Sequence, residues 1–534
     1  MTKLAQMFRL RATPQTEPIP GTVPNAAGGH VFAVGDWARL DRFLVLGSEG
    51  GSYYASPRAL TAANAAAVQR CVAQDGARAV AAIVAVSEGG RAPKQDPAIF
   101  ALALAAASAD LATRRAALAA LPRVCRTGTH LFQFAASVEA MRGWGRGLRR
   151  AVGNWYCAKP VEALAFQAVK YRTRQGWSHR DLLRLAHPET EEPARKALFD
   201  WICRGTVTEA APGIVHAFAR VQAPGVDGAV AAALVRSHGL PWEALPTGLM
   251  GSRAVNEALI ERMPVGALVR QLGRLTAAGV LAPFSEGTEH VRAVLSDRER
   301  ILRARLHPMA LLLALATYAS GRGQRGTLTW EPVAAIVEAL NAAFYTAFGA
   351  VEPTGQRLVL ALDVSGSMGA STVAGSTLTA REAAAAMALV TAATEERWQV
   401  LGFTAEAGRA WSQGAALTPL PIGPSTRLDQ AVRVTADLPF GATDCALPMR
   451  WALERGVKAD AFVVYTDSET WAGPVHPVQA LRAYREKTGI PAKLVVVGLV
   501  SNGFSIADPE DPGMLDVVGF DTAAPAVIAD FIRA

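Results

Sequence analysis

The stretch LVLALDVSGSMG, residues 358–369, decides the reading of the C-terminal third of the chain. Its first five residues are apolar without a break, the pattern of a strand buried on both faces in a parallel sheet. The run then delivers Asp363, Ser365 and Ser367 at alternate positions into a loop with Gly366. One carboxylate and two hydroxyls so spaced can converge on one point at the carboxyl end of a strand, where open α/β sheets bind ligands. Such oxygen donors suit a hard divalent ion, Mg2+ above all. A polar turn capping the next helix is the alternative reading.

Working outward, apolar runs recur at 399–403, 461–465 and 493–499. They alternate with helical stretches at 379–397, 425–438, 446–454, 477–487 and 525–532. That alternation predicts a doubly wound α/β domain over 357–534. Two further loops belong with the first. GATDC (441–445) precedes a helix, and YTDSE (465–469) ends a buried strand. Thr443 offers another hydroxyl and Asp467 a second carboxylate, bound to the ion directly or through water. The three loops together resemble the metal-ion-dependent adhesion site of von Willebrand factor A domains. The resemblance implies a metal that keeps one position open for an acidic group of a partner.

Upstream the character changes. Residues 56–347 are rich in Ala and Leu and read as successive short helices, among them 58–74, 77–86, 96–107, 111–121, 161–174, 179–186, 192–203 and 229–237. Glycines and prolines punctuate them. This predicts a stack of antiparallel helix pairs, although no fixed repeat period is visible. Residues before 56 read as an irregular arm packing through Trp37, Phe43, Leu44, Tyr53 and Tyr54. A Pro/Gly-bearing junction at 349–356 then separates a helical domain, 1–356, from the α/β domain, 357–534.

Charge follows the same division. The chain carries 54 Lys+Arg against 46 Asp+Glu, a net +8. Residues 357–534 hold 14 against 19, or −5, and residues 1–356 hold 40 against 27, or +13. The window 142–187 contains ten cations, Arg142, Arg146, Arg149, Arg150, Lys159, Lys170, Arg172, Arg174, Arg180 and Arg184, and two acids, Glu162 and Asp181. On a helix running to 174, Lys170 and Arg174 share a face. Ser178 suits an N-cap, and Arg180, Arg184 and His187 then line one side of the next helix while Leu182, Leu185 and Ala186 turn to the core. Trp144, Trp155, Tyr156, Tyr171 and Trp177 are interleaved, most of them expected in the core. Guanidinium groups match phosphate oxygens and exposed rings can stack on unpaired bases, so the window is a candidate RNA surface. A solvated helix face is the competing reading.

Several classes are disfavoured. The five cysteines form no C-x-x-C pair, no phosphate-loop or H-E-x-x-H motif occurs, and the longest uncharged apolar run, near 309–319, is too short to cross a bilayer. A soluble, cytoplasmic protein with no membrane partner is expected.

The two halves together resemble the TROVE-domain Ro ribonucleoproteins. The likeness rests on WARLDRFLVLGSEGGSYY (37–54), KYRTRQGWSHRDLLRLAH (170–187), His307-Pro308, the 318–330 stretch with Gly321-Arg322-Gly323, and the loops at 363–368 and 441–449. It implies a ring of HEAT-like helical repeats followed by the A-like domain. It also implies Y RNA on the outer basic surface and single-stranded 3′ ends of misfolded noncoding RNAs in the central hole, with roles in RNA quality control, rRNA maturation and stress survival. An exoribonuclease such as polynucleotide phosphorylase is an implied partner of a monomeric, non-enzymatic protein. By position, Lys170, Arg174 and His187 match the family's RNA contacts, with Arg142–Arg150 in support, and Asp363, Ser365, Ser367, Thr443 and Asp467 match its metal loop. Two other functions stay open on the residues alone. One is a protein-interaction adaptor working through the A-like domain. The other is a metal-dependent RNA hydrolase, for which the loop offers few carboxylates.

Overall fold

The computed structural model describes residues 12–48, 52–304, 306–323, 327–347, 352–373, 376–405, 416–423, 426–436, 438 and 441–534. Residues 1–11 and 49–51 of the expected arm, 324–326, 348–351 at the expected junction, and 425 and 437 at the edges of one expected helix lie outside them. The described chain divides into two compact units. One comprises the residues up to Arg70, Arg91–Lys94 and those from Glu352 onward, and the other Cys71–Gly90 and Gln95–Ala347.

The first unit is built on a six-stranded sheet. Its strands are β5 (Arg357–Asp363), β6 (Arg397–Phe403), β7 (Leu417–Pro419), β8 (Ala461–Thr466), β9 (Lys493–Gly498) and β11 (Met514–Val518). They lie in the order β11-β9-β8-β5-β6-β7, all parallel except β7. The chain steps from β5 to β6 on one side and to β8, β9 and β11 on the other, so the winding reverses beside β5. β8 is buried at every position, and β5 and β9 at all but the first, as their unbroken apolar sequences require. The helix Ala380–Thr394 contributes a buried row of alanines, whose small side chains permit close approach to the sheet. Met449, Leu481 and Tyr484 from the helices Leu447–Glu454 and Pro477–Thr488 cluster with Val359, Phe462 and Val496.

The N-terminal segment belongs to this unit and is more regular than an irregular arm. β1 (Thr22–Pro24) and β2 (His30–Ala33) pair antiparallel, and β2 pairs in turn with β10 (Phe504–Ser505). The helix Asp36–Leu46 follows, with Asp36 in its first turn and Leu40, Phe43 and Leu44 buried at helical spacing. Phe43 and Leu44 thus pack inward as expected, whereas Tyr53 is 61 % exposed. Arg42, on the same helix, is only 1 % exposed. Its guanidinium donates to the Asn502 side chain at 2.8 Å, the Phe504 carbonyl at 2.9 Å and Asp516 at 2.6 Å.

The second unit is helical. It runs through Gly76–Gly89, Asp96–Ala107, Leu111–Val124, Gly128–Met141, Arg146–Ala158, Val161–Lys170, His179–Ala186, Pro193–Arg204, Gly213–Val221 and Gly228–His238, and on to Ala334–Ala347. Gly76–Gly89 and Asp96–Ala107 each pack on their next and next-but-one neighbours, the pattern of stacked helix pairs. Asp75, Asp110, Thr127, Asp227 and Ser285 each cap a helix of this unit through their side chains. The architecture is that expected, helical repeats plus a von Willebrand A-like doubly wound domain.

Two predictions follow from these burials. Arg42→Met strands Asp516 beside the sheet and is expected to cost about 3 kcal/mol, read as a lowered denaturant midpoint of the α/β unit. His179 is 3 % exposed, with Nδ1 2.7 Å from the Tyr156 hydroxyl, and burial pulls its pKa down to about 4. The folded state therefore holds it neutral. That stability is present above pH 6.5 and is lost as pH falls toward 4, by about 3 kcal/mol. Thermal unfolding between pH 7 and 4.5 reads the loss, which His179→Phe should diminish.

Candidate RNA interface and metal centre

The basic window folds into a short β-ribbon flanked by helices. The helix Val161–Lys170 ends four residues earlier than its periodicity suggests. Tyr171 is extended, and Thr173–Arg174 (β3) pairs with Trp177–Ser178 (β4). Gln175 and Gly176 both have positive φ, 51° and 78°, as a two-residue hairpin turn demands. Arg174 consequently stands on the hairpin opposite Trp177 and not one turn above Lys170 on a helix. Ser178 does cap the next helix, and its hydroxyl and the Asp181 carboxylate form a reciprocal capping box. Leu182 and Leu183 are the buried pair on that helix, with Leu185 half-buried. His187 ends it in the left-handed region and is exposed.

Arg142, Arg146, Arg149, Arg150, Arg172, Arg174, Arg180 and Arg184 are all exposed, and among the described residues none has an acidic partner. The two lysines are different. Lys170 is half-buried, 3.7 Å from Glu243, and lies against the Phe166 and Tyr171 rings. Lys159 is half-buried over Trp155 and donates to the Arg126 carbonyl at 3.3 Å. Trp155 and Tyr156 are core residues as expected, but Trp144, Tyr171 and Trp177 are only half-buried, so most of these aromatics are not in the core. Trp144 and Trp177 form a half-buried pair with ring centres 5.4 Å apart.

The helix Arg146–Ala158 starts at Gly145 with no side-chain cap, so its first amides add to the positive field of the arginines around them. A cavity of about 490 Å³ opens there, lined by Arg114, Arg115, Arg142, Arg146 and Arg150. Arg114 and Arg115 lie outside the basic window in sequence, and the packing of Leu111–Val124 on Arg146–Ala158 brings them in. Arg114 also donates to the Ser108 and Ala109 carbonyls, closing the preceding helix.

The α/β unit gathers its acids. β5 delivers Asp363 and β8 delivers Asp467 to the adjacent carboxyl ends of neighbouring strands, beside the point where the winding reverses. Asp363 is fully buried. Its carboxylate accepts from the Ser365 amide at 2.9 Å and the Thr466 hydroxyl at 2.6 Å. The Ser365 and Ser367 hydroxyls lie 3.2 Å apart. Arg381, also buried, donates to the Val364 and Ser365 carbonyls at 2.6 and 3.1 Å and so fixes the loop backbone. Thr443 is buried, and its carbonyl accepts from the amides of Trp471 and Ala472.

The N-terminal segment holds the other two loops, a role that sequence reading did not find. Gln15 donates to Asp444 at 2.7 Å and accepts from the Thr470 hydroxyl. Asn25 donates to the Thr470 carbonyl at 2.8 Å, and Glu469 accepts from the Ala27 amide at 3.0 Å.

These donors fit a hard cation. Burial, then the Asp363 charge, pushes the Asp467 carboxyl up to about 7. Burial and Asp467 push Glu469 up to about 8. Asp363 is also shifted up, chiefly by burial. Among the described residues, Asp467 Oδ2 and the Ser468 hydroxyl are buried with no hydrogen-bond partner, an arrangement a bound ion would relieve. Asp363, Ser365, Ser367, Thr443 and Asp467 are the residues that could hold it.

The comparisons with known proteins bear on both sites. The TROVE-domain model matches residues 23–223 and 234–356, and the Ro60 vWA-domain model matches 357–532. The chain belongs to the TROVE-domain Ro60 family. It is 45 % identical to the RNA-binding protein RO60 of Deinococcus radiodurans over 97 % of both chains. It is 36 % identical to the RNA-binding protein RO60 of Caenorhabditis elegans, over 96 % of this chain and 90 % of that one. Its fold matches the crystal structure of the Deinococcus radiodurans RO (RSR) protein with a TM-score of 0.70 at 43 % identity, covering 93 % of this chain and 99 % of that one. The matches to this TROVE-domain Ro60 protein meet at 356/357. By packing, however, its first seventy residues join the C-terminal unit.

Proposed function

We infer that this protein is a non-enzymatic RNA-binding component of a ribonucleoprotein. In this reading it carries small structured Y RNAs on the basic face of the helical unit. The helical repeats close into a ring that receives single-stranded 3′ ends of misfolded noncoding RNAs. The protein would act as a cytoplasmic monomer in RNA quality control, rRNA maturation and stress survival, with an exoribonuclease such as polynucleotide phosphorylase as protein partner. One observation carries the RNA reading: eight exposed guanidinium groups between Arg142 and Arg184 without an acidic partner among the described residues. Guanidinium ions pair with phosphate oxygens in a fixed fork, and so many unpaired on one stretch form the electrostatic footprint of a polyanion site. The names of the two relatives support it.

Exposure orders the site residues. Arg174, Arg172, Arg180, Arg184 and His187 meet the RNA directly, with Arg142, Arg146, Arg149 and Arg150 extending the track. Lys170 and Lys159 contribute from half-buried positions. The Lys170→Glu/Arg174→Glu double variant should bind a structured Y-like RNA at least several-fold more weakly than the parent in a filter-binding titration. Its plot of log affinity against log salt should be shallower by about one unit or more. Affinity equal to the parent's would remove these residues from the site.

The A-like unit holds a divalent ion, Mg2+ by its oxygen donors, at Asp363, Ser365, Ser367, Thr443 and Asp467 in the same reading. When bound, the ion supplies an open coordination position for an acidic group. The orphaned Asp467 oxygen supports this and also favours a second, compatible reading as a protein-interaction adaptor. Calorimetric titration of the full chain with MgCl2 should give saturable heat that Asp363→Ala abolishes while RNA affinity is unchanged. Mg2+-dependent RNA degradation by the pure parent, absent in Asp363→Ala, would instead make the protein a hydrolase.

A further inference from the structure

The cavity of about 490 Å³ at the start of Arg146–Ala158 is a groove between two helices. A Cβ on Gly147 would come within 3.3 Å of Leu118, and Trp155 Nε1 donates to the Cys125 carbonyl. Leu111–Val124 and Arg146–Ala158 therefore run side by side in one direction. Leu111, Leu118, Ala119 and Pro122 line the groove from the first helix, at the i, i+7, i+8, i+11 spacing of a single face. Gly147, Ala151 and Ala158 line it from the second at i, i+4, i+11, and their small side chains leave it open. Leu111 is 50 % exposed, and Ala119 and Pro122 are exposed as well. The floor is thus apolar surface that the helical unit leaves in water.

The rim is cationic. Arg115, Arg142, Arg146 and Arg150 line it, all exposed and without an acidic partner among the described residues. The helix N-terminus at Gly145 has no side-chain cap and adds its own unpaired amides. RNA would suit this rim but not the floor. Bases stack on exposed rings, and the aromatic residue of the lining, Trp155, is 1 % exposed. An aliphatic floor takes aliphatic side chains, and two helices side by side form a groove that receives the ridge of a third. We propose that this groove docks an acidic amphipathic helix of a protein partner. Leucine or methionine side chains on one face of that helix fill the floor between Leu111 and Pro122. Carboxylates flanking the apolar stripe meet the four arginines, and one of them caps the amides at Gly145. From Gly147 to Ala158 the groove runs roughly 16 Å, room for about three turns of the partner helix. The proposal goes beyond the RNA-binding reading, with which it shares Arg142, Arg146 and Arg150, and its test separates the two.

Fluorescence anisotropy on the full chain tests the proposal with three labelled probes. The first is a peptide of about 15 residues with leucines at i, i+4, i+7 and i+11 and glutamates over the rest of its surface. The second has the same composition shuffled to remove the apolar stripe, and the third is oligouridine of equal charge. The parent is expected to bind the striped peptide about tenfold more tightly than the shuffled one. Ala119→Lys fills the floor while adding a cation. It should erase that preference and leave oligouridine binding no weaker. Arg146→Glu/Arg150→Glu should weaken the striped peptide several-fold, the more so at low salt. Should Ala119→Lys fail to fold, Leu111→Lys at the exposed mouth of the groove carries the same test. Equal binding of the two peptides by the parent, or a preference kept in the folded lysine variant, would overturn the docking site and leave the RNA-binding reading standing. Oligouridine binding that the lysine variant abolishes would give the groove to RNA and overturn it equally.

Discussion

The α/β unit depends on one buried cation. Arg42 is almost completely removed from water, and a guanidinium there must find acceptors or the fold loses several kcal/mol. It finds them on Asn502, Phe504 and Asp516, all more than 450 residues away in sequence. This set fixes the helix Asp36–Leu46 against the last third of the chain, and the β2–β10 pairing repeats the tie through the backbone. Gln15 and Asn25 can then reach the loops at 443–444 and 468–470. The metal loops are therefore framed by residues from the beginning of the sequence as well as by the sheet that presents them.

Much of this was legible in the sequence, and for definable reasons. Unbroken apolar runs located β5, β8 and β9 within a residue, since strands buried on both faces have no freedom to be polar. The start of the helix His179–Ala186 was marked by its Ser178 cap. What the sequence concealed was decided by distant contacts. The helix Asp36–Leu46 hid among glycines because its stability comes from packing and from Arg42, not from local propensity. The end of Val161–Lys170 was hidden because the residues beyond it continue an acceptable helical pattern, and the Gln175–Gly176 turn outweighs it. β11 escaped because Asp516 interrupts its apolar run, yet that aspartate is there for Arg42.

The sites divide in the same way. Asp363 ends β5 and Asp467 follows β8 on the adjacent strand, where the apolar runs before them had located them, because a strand end leaves little choice of geometry. The basic surface was recognised as a sum of charge, but its membership was not. Lys159 and Lys170 spend part of their charge internally, whereas Arg114, Arg115 and Arg204 line its cavities from outside the sequence window. Net charge can be counted along a chain, but which charges remain unpaired is a property of packing. Among the described residues, buried carboxylates thus crowd one region, and exposed guanidinium groups without acidic partners line the other.

The discontinuous α/β unit also sets a timetable for synthesis. Arg91–Lys94 apart, the helical unit lies between the two long parts of the other, so its residues have all been made before the first long strand of the sheet emerges. Helices that pack on near neighbours in sequence can fold as they appear. The N-terminal strand and the helix bearing Arg42 must wait through almost the whole of translation for β10 and Asp516. During that interval β2 has an open edge, and a charged side chain destined for burial is still in water. The most vulnerable period in the life of this protein is therefore its making, when its oldest residues wait for its newest.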